Sequence, residues 1–237
     1  MGRRLAFKTF NYSVLFYLLT VYFPFGFGYQ PAIAENVSES VEINTTGNDE
    51  FSRGVQAVKN KNFQLAVNLF ETAANRSEYE AQYNLAYLLR HGKGRPQNYA
   101  DALYWVILAQ LGGIQLAEEL AEEIEDRLTE KQLEPILKKV ETHLESRVET
   151  GEFEAIPQLA YYHHALLPEA DYEQAYLWYA IAVALNLPKM MDWREEMEDK
   201  IEPEQIAVLQ IKTTDIFNRL LAGGPIRQNK TEAENEN

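Results

Sequence analysis

A short pattern that occurs three times along the chain constrains the fold more than any other feature. An Asn or Asp followed by an aromatic residue opens each copy, at Asn62-Phe63, Asn98-Tyr99 and Asp171-Tyr172. An alanine stands three residues after each aromatic residue, and apolar residues then recur at steps of three and four. This spacing is typical of an amphipathic helix, whose first-turn amides the Asn or Asp can cap. Each copy therefore predicts the start of a packed helix.

The copies are regularly spaced. The step from Ala66 to Ala102 is 36 positions, and the step from Ala102 to Ala175 is 73, about twice that period. The longer period recurs elsewhere, because the acidic stretch 122–128 matches 195–201. Similarity at such a period is the signature of stacked structural repeats. We therefore predict an internal duplication of period 73.

Another helix is predicted ahead of each capped helix, with small residues where two helices approach closely. Five helical hairpins result, and Gly151 marks the break between the duplicated halves. Pro135 is expected to kink or delay the second helix of the third hairpin. The predicted fold class is all-α, a superhelical array of antiparallel helix hairpins. The five hairpins have approximate bounds of 51–75, 79–112, 114–147, 154–186 and 189–221.

Residues 1–34 have the pattern of a secretory signal peptide. Three basic residues precede an apolar run from 14 to about 27, and Ala32 and Ala34 form a small-x-small cleavage site. The run is shorter than the roughly 20 residues of a transmembrane helix. We expect general secretion, cleavage after Ala34 and a periplasmic or extracellular mature protein that meets the membrane only through this segment. An uncleaved anchor and twin-arginine export are the alternatives.

Polar segments without apolar periodicity flank the repeats. Residues 35–50 and 222–237 are predicted to be disordered, which leaves 51–221 as the folded domain. The chain has 22 Lys and Arg against 36 Asp and Glu, a net charge of −14. This charge disfavours nucleic-acid binding, which requires basic surfaces, and favours a basic partner. The absence of cysteine excludes a disulfide framework and a thiol nucleophile.

The segment Leu85–Leu120 resembles a Sel1-like repeat, a type related to the tetratricopeptide repeat (TPR). Turn lengths make the first hairpin TPR-like and the later ones Sel1-like, although the third and fifth hairpins keep little of the motif and the fourth lacks both loop glycines. Together with the export segment, the resemblance is to bacterial exported or periplasmic members. The shared features are Leu85, Ala86, Gly92, Gly94, the Asn-aromatic cap, Ala102, Trp105 and Ala109.

The resemblance implies a right-handed superhelix of helix pairs whose concave face binds a protein or peptide. Residues between the packing positions of each hairpin's first helix would line that face. Tyrosines suit such a surface because they offer rigid contact area with a polar tip, although they could merely cover the helix. The candidates are Glu80, Tyr83, Tyr87 and Arg90 in the second hairpin, and Glu154, Tyr161 and His164 in the fourth.

Catalysis has no identifiable residues, because no GxSxG, HExxH, phosphate-cradling or dinucleotide motif occurs. We expect a non-enzymatic protein with no cofactor and no metal. The adjacent His163 and His164 project about 100° apart on a helix, which favours surface or groove histidines over metal ligands. The acidic runs 118–126 and 195–199 lack the glycine of a calcium loop and favour solvated helix faces.

Two tryptophans bear on the main functional alternative, an envelope enzyme or a carbohydrate-binding protein. Trp105 and Trp178 occupy the apolar face of their repeats, which favours a place in the core over a sugar-stacking platform. A sugar-binding role would require these side chains to be exposed. The interaction scaffold requires only a groove.

Overall fold

A computed structural model describes residues 50–226. The predicted signal peptide and residues 35–49 and 227–237 of the predicted disordered segments lie outside the described residues. The described chain is all-helical, without a strand, and its ten α-helices follow one another as five hairpins. The prediction of an all-α fold of helix hairpins is confirmed. The helices are α1 (Glu50–Lys59), α2 (Phe63–Ala74), α3 (Tyr79–Arg90), α4 (Tyr99–Leu111), α5 (Leu116–Glu125), α6 (Glu130–Glu149), α7 (Ala155–Tyr161), α8 (Tyr172–Ala184), α9 (Met190–Glu198) and α10 (Pro203–Leu221).

The chain forms two compact units, whose described parts are 50–140 and 141–226. In the first unit each of the helices α1 to α4 packs against the next one, and α3 also contacts α5. In the second unit, α7 continues into a π-helical turn, Tyr162–Leu166, and both pack against α8, which also contacts α9 and α10. The boundary between the units falls between residues 140 and 141, inside α6. The sequence predicted the break between the duplicated halves at Gly151, about ten residues later.

Side-chain caps fix the starts of α2, α4 and α8. The side-chain oxygens of Asn62, Asn98 and Asp171 each accept a hydrogen bond from the backbone N–H three residues later, at 3.2, 3.1 and 3.0 Å. Such a cap satisfies one of the amides that the first turn leaves without a partner. The repeated Asn or Asp therefore acts as the sequence predicted.

The helix bounds reproduce the period of the duplication. The two ends of α4, Tyr99 and Leu111, correspond at this period to Tyr172 and Ala184, which are the two ends of α8. The start of α6 corresponds in the same way to the start of α10. The third and fifth hairpins therefore follow the duplication although they keep few residues of the motif.

Pro135 does not delay the start of α6, so the predicted delay is wrong. The helix begins at Glu130, five residues before the proline. Its start is fixed by Thr129, whose backbone N–H and hydroxyl both donate to the side-chain oxygen of Gln132, at 3.0 and 2.8 Å. Pro135 has no N–H to donate to the carbonyl of Lys131, and the helix continues despite this one missing bond.

The packed chain extends past the predicted end at Leu221. Ile226 is buried, and its backbone N–H donates to a carboxylate oxygen of Glu149 at 2.8 Å. The guanidinium of Arg219 donates to the carbonyls of Pro225 and Ile226. Residues 222–226 therefore belong to the second unit. No helix between 50 and 226 is long and apolar enough to cross a bilayer.

Candidate functional site

The predicted binding residues of the second hairpin lie together on α3. Glu80, Tyr83, Tyr87 and Arg90 follow one another at spacings of three and four, which places them on one side of a helix. Tyr83 is nearly buried, with 9% of its surface exposed, and the other three are half-buried. The structure therefore brings these four residues to one face, with Tyr83 at its base.

Glutamates of α5 border this face. The guanidinium of Arg90 forms an ion pair with the carboxylate of Glu123. Burial raises the pKa of Tyr83, and the neighbouring Tyr87 and Glu119 raise it further. Glu119 therefore lies close enough to α3 for its charge to act on the tyrosine. We define the α3–α5 face as Glu80, Tyr83, Tyr87, Arg90, Glu119 and Glu123.

The turn after α3 holds the side chain of Tyr87. The ring of His91 lies 4.2 Å from the Tyr87 ring, centroid to centroid. The ammonium group of Lys93 lies 5.4 Å from the Tyr87 centroid, a distance at which a cation is attracted to an aromatic ring. Tyr87 is thus restrained by its neighbours and still half-exposed.

Carboxylates dominate the charge of α5. Glu119, Glu122 and Glu123 are exposed. Near the end of the helix, burial raises the pKa of Glu125 to about 7, and the charges of Glu122 and Asp126 add to this effect. The sequence assigned this acidic run to a solvated helix face. Its exposed glutamates include Glu119, which lies near Tyr83 of α3, whereas Glu125 is partly buried next to other carboxylates.

The predicted residues of the fourth hairpin lie in the second unit. Tyr161 ends α7, and His164 lies in the π-helical turn with its ring centroid 6.3 Å from that of Tyr161. Both side chains are half-buried. Glu154 precedes α7 by one residue, two helical turns ahead of Tyr161, and is exposed.

Two further aromatic residues join Tyr161 and His164. The ring centroid of His164 lies 5.2 Å from that of Trp193 and 6.2 Å from that of Tyr179. The rings of Tyr179 and Trp193 stack, with an interplanar angle of 19°. Burial strongly raises the pKa of Tyr179. We call Tyr161, His164, Tyr179 and Trp193 the aromatic cluster.

Sequence reasoning missed Trp193, although the duplication contained a signal for it. In the first copy the corresponding residue is Leu120, which is buried at 6% exposure. Trp193 itself is half-buried. The second copy therefore has a larger and partly exposed ring at a position where the first copy has a core leucine. This difference indicates that the position is not needed for core packing alone in the second copy.

Trp105 and Trp178 belong to the core, as the sequence predicted. Their exposed fractions are 9% and 2%. A ring that stacks on a sugar must be accessible, so these two side chains do not form such a platform. Trp193 is the most accessible of the three tryptophans.

The two adjacent histidines have different surroundings. His164 is half-buried within the aromatic cluster, whereas His163 is only 5% exposed, so the prediction of a surface or groove position is wrong for His163. Between residues 50 and 226, no group of three or more His, Asp or Glu side chains is arranged to hold a metal ion.

Three segments of the chain match the Sel1 repeat: residues 49–77, 80–109 and 155–187. They fall on the first, second and fourth hairpins. The match extends the Sel1 assignment to the first hairpin, which turn length had classed as TPR-like. Although the turn between α1 and α2 is short, Asn62 still caps α2. Gly54 of α1 also packs closely against Phe70 of α2. Sel1 repeats are generally protein-interaction modules. None of the curated proteins matches the chain.

Proposed function

We propose that the chain is a non-enzymatic interaction scaffold or regulator of the cell envelope, and that its α3–α5 face binds a basic segment of a protein partner. The observation that carries this proposal is that α5 carboxylates lie beside the α3 side that bears Tyr87: Glu119 acts on Tyr83, and Glu123 pairs with Arg90. The face thus combines aromatic contact area with negative charge, and its α3 residues belong to one of the segments that match the Sel1 repeat.

Tyr87 supplies the contact area. Its ring is restrained by His91 and Lys93, so binding costs little additional side-chain entropy. Restrained tyrosines at the centre of an interface often contribute a large share of the binding energy. Tyr83, which is nearly buried, lies about one helical turn before Tyr87 on the same side of α3.

The glutamates supply the preference for a basic partner. Glu119 and Glu122 are exposed, and their charges attract Lys and Arg side chains at long range. Arg90 does not cancel this charge, because its guanidinium is already paired with Glu123. Association should therefore be slowed by added salt.

The second unit has its own proposed contact surface. Tyr161, His164 and Trp193 are half-buried members of the aromatic cluster, and Tyr179 supports them from the core. Exposed parts of clustered rings bind apolar or cationic side chains of a partner. Tyr161 and His164 keep their proposed role, and Trp193 is added to it.

A selection of random peptides displayed on phage tests the proposed function, with the chain from residue 35 as the target. We expect peptides rich in Lys and Arg, with affinity falling about tenfold or more in Tyr87→Ala. Tyr87→Phe keeps the ring and should bind nearly as well as the parent. Glu119→Gln should weaken binding and reduce its dependence on salt. All three variants should keep the parent melting temperature.

Two outcomes would contradict this proposal. One is the absence of basic peptides from the selected pool. The other is binding of the basic peptides to Tyr87→Ala as tightly as to the parent, which would move the site off the α3–α5 face.

A further inference from the structure

A cleft of about 500 Å³ lies between the start of α4 and the first half of α6, within residues 50–140. That volume lies within the range of small-ligand sites, which also hold individual side chains of a bound peptide. Tyr104 and Ile136 form an apolar floor, each 6% exposed, and Pro135 stands exposed beside them. The cleft is separate from the α3–α5 face, since none of its lining residues belongs to that face.

Two lysines of α6 border the cleft. Lys131 and Lys139 are eight residues apart, which is about 12 Å along a helix axis. Lys131 is exposed, and no ion pair ties it to another residue of the described chain. Its ammonium group is therefore available to a bound carboxylate.

Lys139 lies over the floor of the cleft. Its ammonium nitrogen is 3.9 Å from the centroid of the Tyr104 ring and 3.8 Å from a carboxylate oxygen of Asp101. The Lys139 and Asp101 side chains are 55% and 49% exposed. An ion pair so exposed to water is weak, so Lys139 can accept a second carboxylate without leaving the ring.

The internal duplication shows that helix packing alone does not require these residues. At the corresponding positions of the second copy, Leu177 stands in place of Tyr104, and Glu204 stands in place of Lys131. Both residues lie in the helices that correspond to α4 and α6, namely α8 and α10. The aromatic floor and the unpaired lysine are therefore particular to the first copy.

We propose that this cleft docks an acidic segment of a protein partner. A carboxylate side chain of the partner binds between Lys131 and Lys139, and a neighbouring apolar side chain lies on Tyr104 and Ile136. The net charge of the chain is −14, so a local pair of ammonium groups is what allows an acidic segment to bind here. The proposal goes beyond the α3–α5 face, and the two surfaces would select partners of opposite charge.

The same random peptide library, selected on the chain from residue 35, provides the test. We expect a second class of peptides in which Asp or Glu neighbours Leu or Phe. Their affinity should fall at least about fivefold in Lys131→Glu, which reverses an exposed ionic contact. Tyr104→Leu should also lower the affinity of these peptides. Both substitutions introduce the residue that the chain has at the corresponding position of its second copy.

Two controls separate this site from other surfaces. Lys212→Glu, at the position of the second copy that corresponds to Lys139, makes the same change of charge on α10 and should leave the acidic peptides bound. Tyr87→Ala should also leave them bound, although it weakens the basic peptides. Failure of one proposal is thereby distinguishable from failure of the other.

The proposal is overturned if no acidic class of peptide is selected, or if Lys131→Glu binds such peptides as the parent does. An equal loss in Lys212→Glu would show a general charge effect and overturn it too. If Tyr104→Leu does not fold, Lys131→Glu decides the question alone, because position 131 is exposed.

Discussion

Gly94 lies directly against the backbone of Phe63, the residue at which α2 begins. Its φ is +85°, and a Cβ atom at this position would overlap the carbonyl group of Phe63. The turn between α3 and α4 therefore packs on the preceding hairpin, and Lys93 places its ammonium group 5.6 Å from the Phe63 ring centroid. Glycine is required here for its backbone conformation and for the close approach.

Gly94→Ala is expected to destabilise the fold by more than about 3 kcal/mol, because the new methyl group meets backbone that cannot move aside easily. Gly92→Ala is the matched control in the same turn. Gly92 also has a positive φ, +64°, but the nearest atom to its added Cβ would be 3.3 Å away. Gly92→Ala should therefore lower the free energy of unfolding by only about 1–2 kcal/mol. Urea unfolding measures both, and equal losses would contradict the close approach at Gly94.

Trp105→Ala and Trp178→Ala are each expected to cost about 3–5 kcal/mol of stability, as for other large-to-small changes in a core. Trp178 is the more deeply buried, at 2% exposure against 9%, and should show the larger loss. Leu65→Ala, at a position 43% exposed, is the control and should change little. Thermal unfolding checks this. Unchanged melting with loss of ligand binding would assign the two rings to a binding surface instead.

Export is expected to remove residues 1–34, so that the mature protein begins at Glu35. Mass spectrometry of the protein isolated from its source cells measures the N-terminus directly. Fractionation of the same cells should place the protein in the envelope or the medium. Recovery of the intact 1–34 segment on protein in the soluble cytoplasm would contradict the proposed compartment.

The helix starts could be predicted because their signals are local. The side chain of Asn98 caps α4 through an amide only three residues away, and the equivalent Asp171 repeats this at α8. Once the repeat period is known, the start of a helix in one copy predicts the start of the corresponding helix in the other copy. The predicted delay at Pro135 was wrong because the helix already begins ahead of the proline, where Thr129 and Gln132 form a capping interaction.

The candidate site was only partly predictable. The spacing of Tyr83, Tyr87 and Arg90 was enough to place them on one side of a helix. The burial of Tyr83 and the ion pair with Glu123 depend on α5, whose hairpin keeps little of the repeat motif. Contacts between helices that are distant along the chain require the packed structure, and the same holds for the approach of Trp193 to His164.

Glu125 gives the folded state a dependence on pH. Burial, followed by the charges of Glu122 and Asp126, raises its pKa from 4.5 to about 7. Between these two values the carboxyl is protonated in the folded chain and ionised in the unfolded chain, so folding takes up a proton. Stability contributed by this group therefore falls as pH rises from 4.5 to about 7, and above pH 7 the folded chain bears the full cost of the buried charge.

Glu125→Gln removes that charge and should stabilise the protein at about pH 8 by about 1 kcal/mol, a value reduced because water still reaches the half-buried side chain. The gain should shrink as pH is lowered and vanish near pH 4.5, where the glutamate is protonated in both states. Urea unfolding of the variant and the parent across this range measures the effect. Glu198→Gln, at the corresponding position of the second copy, is the control for a change of net charge alone. An equal gain in that variant, or a gain from Glu125→Gln that does not depend on pH, would assign the effect to overall repulsion rather than to the surroundings of Glu125.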